Sequence, residues 1–152
     1  MSSDSNQRPS WDQHWMETAH LMAQMSTCAS GRRVGAVFVR DKRLLATGFN
    51  GVPSGYPHPQ HCARRLAGVP SGQGLDLCVC AHAEANGIAN AARHGMRLEG
   101  ATVYVTHQPC AGCMGESSGM KIPMEMASRP KACSGAILLV FSSTPGRAFS
   151  PS

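Results

Sequence analysis

The sequence predicts one α/β domain, and three observations point there: a length of 152 residues, an alternation of helical and strand periodicities, and a composition that excludes the other large classes. That length suits one hydrophobic core and is short for two. Apolar residues make up 42% and charged residues 15% of the chain, which describes a globular rather than a disordered protein. No run approaches the roughly 18 apolar residues of a membrane helix. Met1 to Ser10 lacks the apolar core of a secretion signal, so the expected compartment is the cytoplasm and no membrane is expected among the partners. Fourteen Lys and Arg against nine Asp and Glu give a net charge of +5, compatible with an anionic ligand such as a nucleotide. The basic residues are scattered, without the extended stripe that nucleic acid requires.

Residues 1–10 read as a flexible N-terminus, 11–141 as the domain and 142–152 as a disordered, Ser- and Pro-rich tail. Ser10 is the expected N-cap of an amphipathic helix over residues 11–27. In it Trp11, Trp15, Ala19, Met22 and Met25 recur at steps of three and four as a core stripe. Val34 to Val39 and Leu44 to Phe49 are β-rich runs joined at Asp41-Lys42, which makes a hairpin. From Asn50 to Gly74 recurrent Gly and Pro exclude a long regular element and leave a loop of the kind that carries function. Ala81 to His94 returns to helix formers, with Ala83, Ile88, Ala91 and Ala92 as a small-residue face for close packing on a sheet, and Gly95 ends it. Ala101 to Thr106 is a third strand. Helix, hairpin, helix, strand is the order of a layered α/β domain.

Seven cysteines, an odd number in a reducing compartment, argue for metal ligation or catalysis rather than disulfides. His82-Ala83-Glu84 opens the second helix, and Pro109-Cys110-Ala111-Gly112-Cys113 follows the third strand. One His and two Cys supply three zinc ligands and leave a fourth tetrahedral position for water, the arrangement of a catalytic rather than a structural zinc. The Cys-x-x-Cys spacing lets both sulfurs face one ion from a helix start, where the dipole favours thiolate. Glu84 can reach the water without being a ligand. Each piece alone has a plainer reading: a surface His, or a Cys pair belonging to a closed zinc site or a redox couple. Together, His-x-Glu and Pro-Cys-x-x-Cys form the zinc deaminase signature, in which an activated water attacks C4 of cytosine or C6 of adenine and Glu moves the protons.

Further stretches accompany the signature: Trp11-Asp12-Gln13-His14-Trp15-Met16, Ser26-Thr27-Cys28, Val34-Gly35-Ala36-Val37, Gly48-Phe49-Asn50-Gly51-Val52-Pro53-Ser54-Gly55, His61-Cys62, His82-Ala83-Glu84-Ala85-Asn86 and Gly100-Ala101-Thr102-Val103-Tyr104-Val105-Thr106. In this order, from Trp11 to Cys113, the chain resembles the deoxycytidylate deaminase family of the cytidine deaminase superfamily. The resemblance implies a three-layer α/β/α cytidine deaminase-like fold with a mixed sheet. It implies zinc on His82, Cys110 and Cys113, and hydrolysis of dCMP to dUMP and ammonia with Glu84 as proton shuttle. It also implies that Asn50 contacts the deoxyribose, that the Ala83 backbone holds the pyrimidine carbonyl, that the enzyme forms homo-oligomers, and that dCTP and dTTP are candidate effectors near the Gly48 to Gly55 loop. Some members carry a second, structural zinc. Cys28, Cys62, Cys78 and Cys80 fall in the corresponding regions, and four sulfur ligands would close a tetrahedral site; the alternative is four free buried thiols.

Two departures from the family stand out. Its common basic residue before the Ser-Thr pair, with the phosphate-binding contribution it implies, is Met25 here; Arg32 and Arg33 are nearby candidates for that contribution, although an Arg pair at a hairpin entrance first reads as a solvated face. After Cys113, the residues Gly115, Gly119, Pro123 and Pro130 limit any helix to a turn or two. Ala136 to Phe141 reads as one buried strand, and Cys133 belongs to no site. The C-terminal portion is thus atypical, through divergence or through a reading-frame change. Two other functions compete: a deaminase for another amine, such as cytidine, another cytosine nucleotide or tRNA adenosine, and a catalytically silent zinc-binding module.

Overall fold

The computed structural model describes residues 8–70 and 73–121; the strand expected at 136–141, Cys133 and the tail from 142 lie outside the described residues. Ser10 opens α1 (Trp11–Ala23) through a capping box, in which the Gln13 N–H donates to Ser10 Oγ (3.2 Å) and the Ser10 N–H donates to Gln13 Oε1 (2.9 Å). The helix ends at Ala23, a turn before the apolar spacing suggests. The reason lies in the next residues: Ser26 Oγ donates to the Asn50 carbonyl (2.8 Å) and Thr27 Oγ1 accepts from the Val52 N–H (3.3 Å). The Ser-Thr pair leaves the helix to hold the loop. Met25 is consequently 60% exposed, and the buried stripe is Trp15, Met16, Ala19 and Ala23 rather than one running from Trp11 to Met25.

The hairpin forms as its sequence dictates. β1 (Gly35–Arg40) and β2 (Arg43–Phe49) pair antiparallel, and Asp41 and Lys42 turn the chain with φ of 52° and 59°, the left-handed pair of a type I′ turn. β3 (Thr102–Val105) pairs antiparallel on the other side of β1, giving the order β2-β1-β3. Alternation along β1 sends Val37 and Val39 toward Trp15, Met16 and Ala19 of α1, and Ala36 and Phe38 into a second core with Val103, Val105, Ala83 and Ala91. Covered on both faces, β1 is an unbroken apolar run. The layers are therefore α/β/α. The named strands are all antiparallel, and the parallel element of the sheet is the bridge between Thr102 and Lys121.

The second face is made by α3 (Ala83–Arg93). Its buried residues are Ala83, Glu84, Gly87 and Ala91, with Ile88 partly buried, whereas Ala92 is exposed. The packing stripe thus runs through Gly87 instead of Ala92, because the Phe38 ring occupies the space a side chain at 87 would need. Gly48 on β2 is equally constrained: a Cβ there would collide with the Ala83 carbonyl and the Gly87 amide. Gly95 follows the helix with φ of 66°, a left-handed stop. Among its described residues the long loop holds the single turn α2 (Ala63–Leu66), a 3-10 turn follows at Leu75–Leu77, and α4 (Ala111–Glu116) follows β3. Among the described residues no helix is long and apolar enough to cross a membrane.

Candidate metal centre

Two short pairings bring the signature residues together. Gly51 and Ala81 exchange backbone hydrogen bonds (3.1 and 2.9 Å), which fixes the chain just ahead of α3 and leaves His82 as its N-cap. Cys110 caps α4, its sulfur accepting from the Cys113 N–H at 3.5 Å. His82 Nδ1 then lies 3.3 Å from Cys113 Sγ and 3.4 Å from Cys110 Sγ. Zinc bonds of about 2.0 Å to nitrogen and 2.3 Å to sulfur set tetrahedral N···S edges of about 3.5 Å. The donor set and its spacing fit that ion.

Glu84 sits one turn into the site and is 4% exposed. Burial pushes its carboxyl above the usual carboxylate range, against the opposing pull of its own backbone amide, His82 and Cys113. Burial and the Glu84 carboxylate also push the Cys113 thiol up. A divalent cation reverses that sense, because coordinated thiols give up their protons. A cavity of about 400 Å³ opens on the site; His82, Ala83, Glu84, Cys110 and Asn50 all line it. Asn50 is 8% exposed and its carboxamide is already engaged: Oδ1 accepts from the Val34 N–H and Nδ2 donates to the Arg32 carbonyl, both at 2.8 Å. One amide hydrogen and one lone pair remain for a ligand.

A second cluster borders the same cavity. The sulfurs of Cys28, Cys78 and Cys80 lie within 4.8 Å of one another, and Cys62 Sγ is 3.9 Å from Cys78 Sγ. Sulfur ligands on tetrahedral zinc stand about 3.8 Å apart, given bonds of about 2.3 Å. Burial and its sulfur neighbours push the Cys80 thiol up. At Cys28 burial acts in the same sense, but hydrogen bonds from Ser30 and Cys80 outweigh it and bring the thiol below its ordinary value. Three of the four cysteines are thus gathered as a ligand group, with the fourth in contact with one of them. Of the basic residues near the departure at position 25, Arg32 lines the cavity, whereas Met25 and Arg33 do not.

His107 and Arg64, which belong to none of the sequence motifs, also line the cavity. His107 carried a signal, since it follows the carboxyl end of β3, where sites in α/β sheets open. Arg64 carried none, because nothing in a Gly- and Pro-punctuated loop fixes where its side chains gather.

The chain's residues 9–127 match the model of the cytidine and deoxycytidylate deaminase zinc-binding region. It is 42% identical over 111 residues to the deoxycytidylate deaminase of Mycobacterium phage D29, covering 70% of this chain and 84% of the phage protein. It is also 42% identical over 108 residues to the deoxycytidylate deaminase of Schizosaccharomyces pombe, covering 70% of this chain but only 33% of that relative. Among solved structures, the dCMP deaminase of cyanophage S-TIM5, crystallised with dCMP and dUMP, superposes with a TM-score of 0.59 at 30% identity, covering 76% of this chain and 80% of that one. The family match runs past the second cysteine of the signature and spans most of the chain, and the chain belongs to the cytidine and deoxycytidylate deaminase family.

Proposed function

We propose that the chain is a zinc-dependent hydrolase that converts dCMP to dUMP and ammonia. The observation that carries this reading is the convergence of His82 Nδ1 with the Cys110 and Cys113 sulfurs beside buried Glu84 in one cavity. The choice of dCMP is supported by the two phage relatives, one a deoxycytidylate deaminase and the other a dCMP deaminase solved with dCMP and dUMP. Zinc held by His82, Cys110 and Cys113 supplies the Lewis acidity that makes a water nucleophilic near neutral pH. Glu84 accepts a proton from the attacking water and delivers it to the ring nitrogen beside C4; it then takes the second proton from the new C4 hydroxyl and gives it to the amine, so that the C4–N bond breaks, ammonia leaves and the C4 carbonyl forms. Its burial suits the task, because a carboxyl held above the usual range exchanges protons closer to neutrality. The Ala83 N–H lies in the first turn of α3, where amides have no helical partner. It is our candidate donor to the pyrimidine carbonyl, and Asn50 our candidate contact to the deoxyribose.

The same reading gives Cys28, Cys62, Cys78 and Cys80 a structural zinc that ties the end of the α1 segment to the long loop. Exposed Leu66, Leu77 and Val79 on that loop are candidate contacts of the homo-oligomer that the family resemblance implies. The test of the activity is a panel: zinc-loaded protein incubated with dCMP, CMP, deoxycytidine and tRNA, followed by ammonia release. dCMP is expected to turn over fastest. Silence toward all four by a folded, zinc-loaded chain would sink the reading.

A further inference from the structure

Cys28, Cys62, Cys78 and Cys80 come from three segments, and each segment also carries part of the catalytic cavity or of its support. Cys28 follows Ser26 and Thr27, which hold the loop at the Asn50 carbonyl (2.8 Å) and the Val52 N–H (3.3 Å). Cys62 is the N-cap of α2, whose Arg64 lines the cavity. Cys80 stands next to Ala81, the residue paired with Gly51, and just ahead of the candidate ligand His82. The cysteine cluster is therefore the point at which three parts of the cavity wall are tied together. Nothing in the deamination chemistry uses its sulfurs.

Cys78 and Cys80 line the catalytic cavity and also a separate cavity of about 60 Å³. Of the two, Cys80 is buried and Cys78 half-buried, so Cys78 is the sulfur a solute reaches from the catalytic side. Cys62 is buried; it lines the small cavity, and its sulfur is already in contact with that of Cys78 at 3.9 Å. A water takes about 30 Å³ in the liquid. Hydrogen peroxide therefore fits beside Cys62 and Cys78, and a peptide disulfide does not.

Four thiolates outnumber the charges of one zinc ion, whereas the pair at Cys110 and Cys113 balances them. The excess negative charge makes the four-cysteine set the more nucleophilic, and the thiolate is the form that attacks an oxidant. We propose that Cys62 and Cys78 form an oxidant-sensitive switch: a small peroxide joins them as a disulfide, the structural zinc is released, and the catalytic cavity loses the tie across its wall. This inference rests on the structural-zinc reading given above. The Cys78 sulfur attacks one peroxide oxygen; the S–O bond forms, the O–O bond breaks, and hydroxide leaves. The Cys62 sulfur then attacks the Cys78 sulfur; the S–S bond forms, the S–O bond breaks, and a second hydroxide leaves. The two sulfurs lose two electrons and the peroxide gains them. Only Cys28 and Cys80 then remain as ligands, too few to hold the ion. A thiol reductant and zinc reverse the change.

The test is titration of the zinc-loaded full chain with hydrogen peroxide. Released zinc is read with a dye that takes none from the untreated protein, cross-linked peptides are mapped by mass spectrometry, and dCMP turnover is measured on the same samples. The expected result is loss of one zinc per chain, a disulfide between Cys62 and Cys78, and a raised KM for dCMP, all reversed by a thiol reductant with zinc. Cys62→His keeps four ligands, in a Cys₃His set that zinc accepts, and removes the dithiol. It should lose no zinc at the peroxide dose that empties the wild-type structural site. The proposal is overturned if a wild type holding two zinc ions keeps both under peroxide, or if zinc leaves without a Cys62–Cys78 link. It is overturned equally if that link forms and the KM stays unchanged, or if folded Cys62→His loses zinc as readily as the wild type; the wild-type peptide map decides where that variant does not fold. Failure of the two readings is distinguishable. One zinc in the untreated chain removes the structural site and the switch with it, whereas two that survive peroxide remove the switch alone.

Discussion

At the scale of single residues, neighbours on one helix turn do different work. His82 offers a ligand nitrogen, and Glu84, buried beside it, handles protons. Glu84→Gln keeps the volume and removes the exchangeable carboxyl, so it should retain zinc and the melting temperature while kcat falls by about 10²- to 10⁴-fold; metal analysis and steady-state rates on one preparation check both halves. Tyr104 gives a second residue-level test. Its hydroxyl donates to Asp12 Oδ1 at 2.6 Å, and burial together with Asp12 pushes its pKa up. A raised pKa in the folded state means that the contribution to stability is complete below the ordinary tyrosine value of about 10 and is lost as pH rises past it. The stability difference between wild type and Tyr104→Phe should therefore shrink in alkaline unfolding titrations above that pH. His82, Glu84, Cys110 and Cys113 could be read from sequence because a metal demands fixed residue types at fixed spacing. Arg64 and His107 could not, since which loop side chains line the cavity depends on which loops meet.

At the scale of elements, the hairpin and the third strand were legible because a period of two and a left-handed turn pair are strong local signals. The end of α1 was not legible, because Ser26 and Thr27 spend their side chains on residues 50–52, more than twenty positions away in the chain. The buried face of α3 was likewise decided elsewhere, by the Phe38 ring that fills the space over Gly87. On β2, Gly48 faces the backbone of α3 rather than a movable side chain. Gly48→Ala should thus cost about 1–3 kcal/mol or more as an overpacked contact. It should also lower zinc retention, because the helix turn it displaces carries His82 and Glu84. Chemical denaturation and metal content measured on the same variant give the answer.

At the scale of the whole molecule, the sheet positions two metal-competent clusters on one cavity, with His82, Cys110 and Cys113 in one and Cys28, Cys78 and Cys80, with Cys62 beside Cys78, in the other. Two zinc ions per chain are expected by elemental analysis, falling to one in Cys80→Ser with the dCMP site still loaded; one zinc in the wild type removes the structural site. The layer order followed from the alternation of helices and strands, and the family resemblance had named the four distant cysteines as one candidate ligand set; the folded loop gathers Cys28, Cys78 and Cys80, with Cys62 beside Cys78. Deamination of dCMP with a metal held by His82, Cys110 and Cys113 is tested most directly by dUMP and ammonia formation from dCMP by the zinc-loaded full chain, before chelation, after it, and after zinc is restored. Equimolar dUMP and ammonia, lost on chelation and recovered with zinc, is the expected result; no product from a folded, zinc-loaded chain, or turnover indifferent to chelation, contradicts the claim.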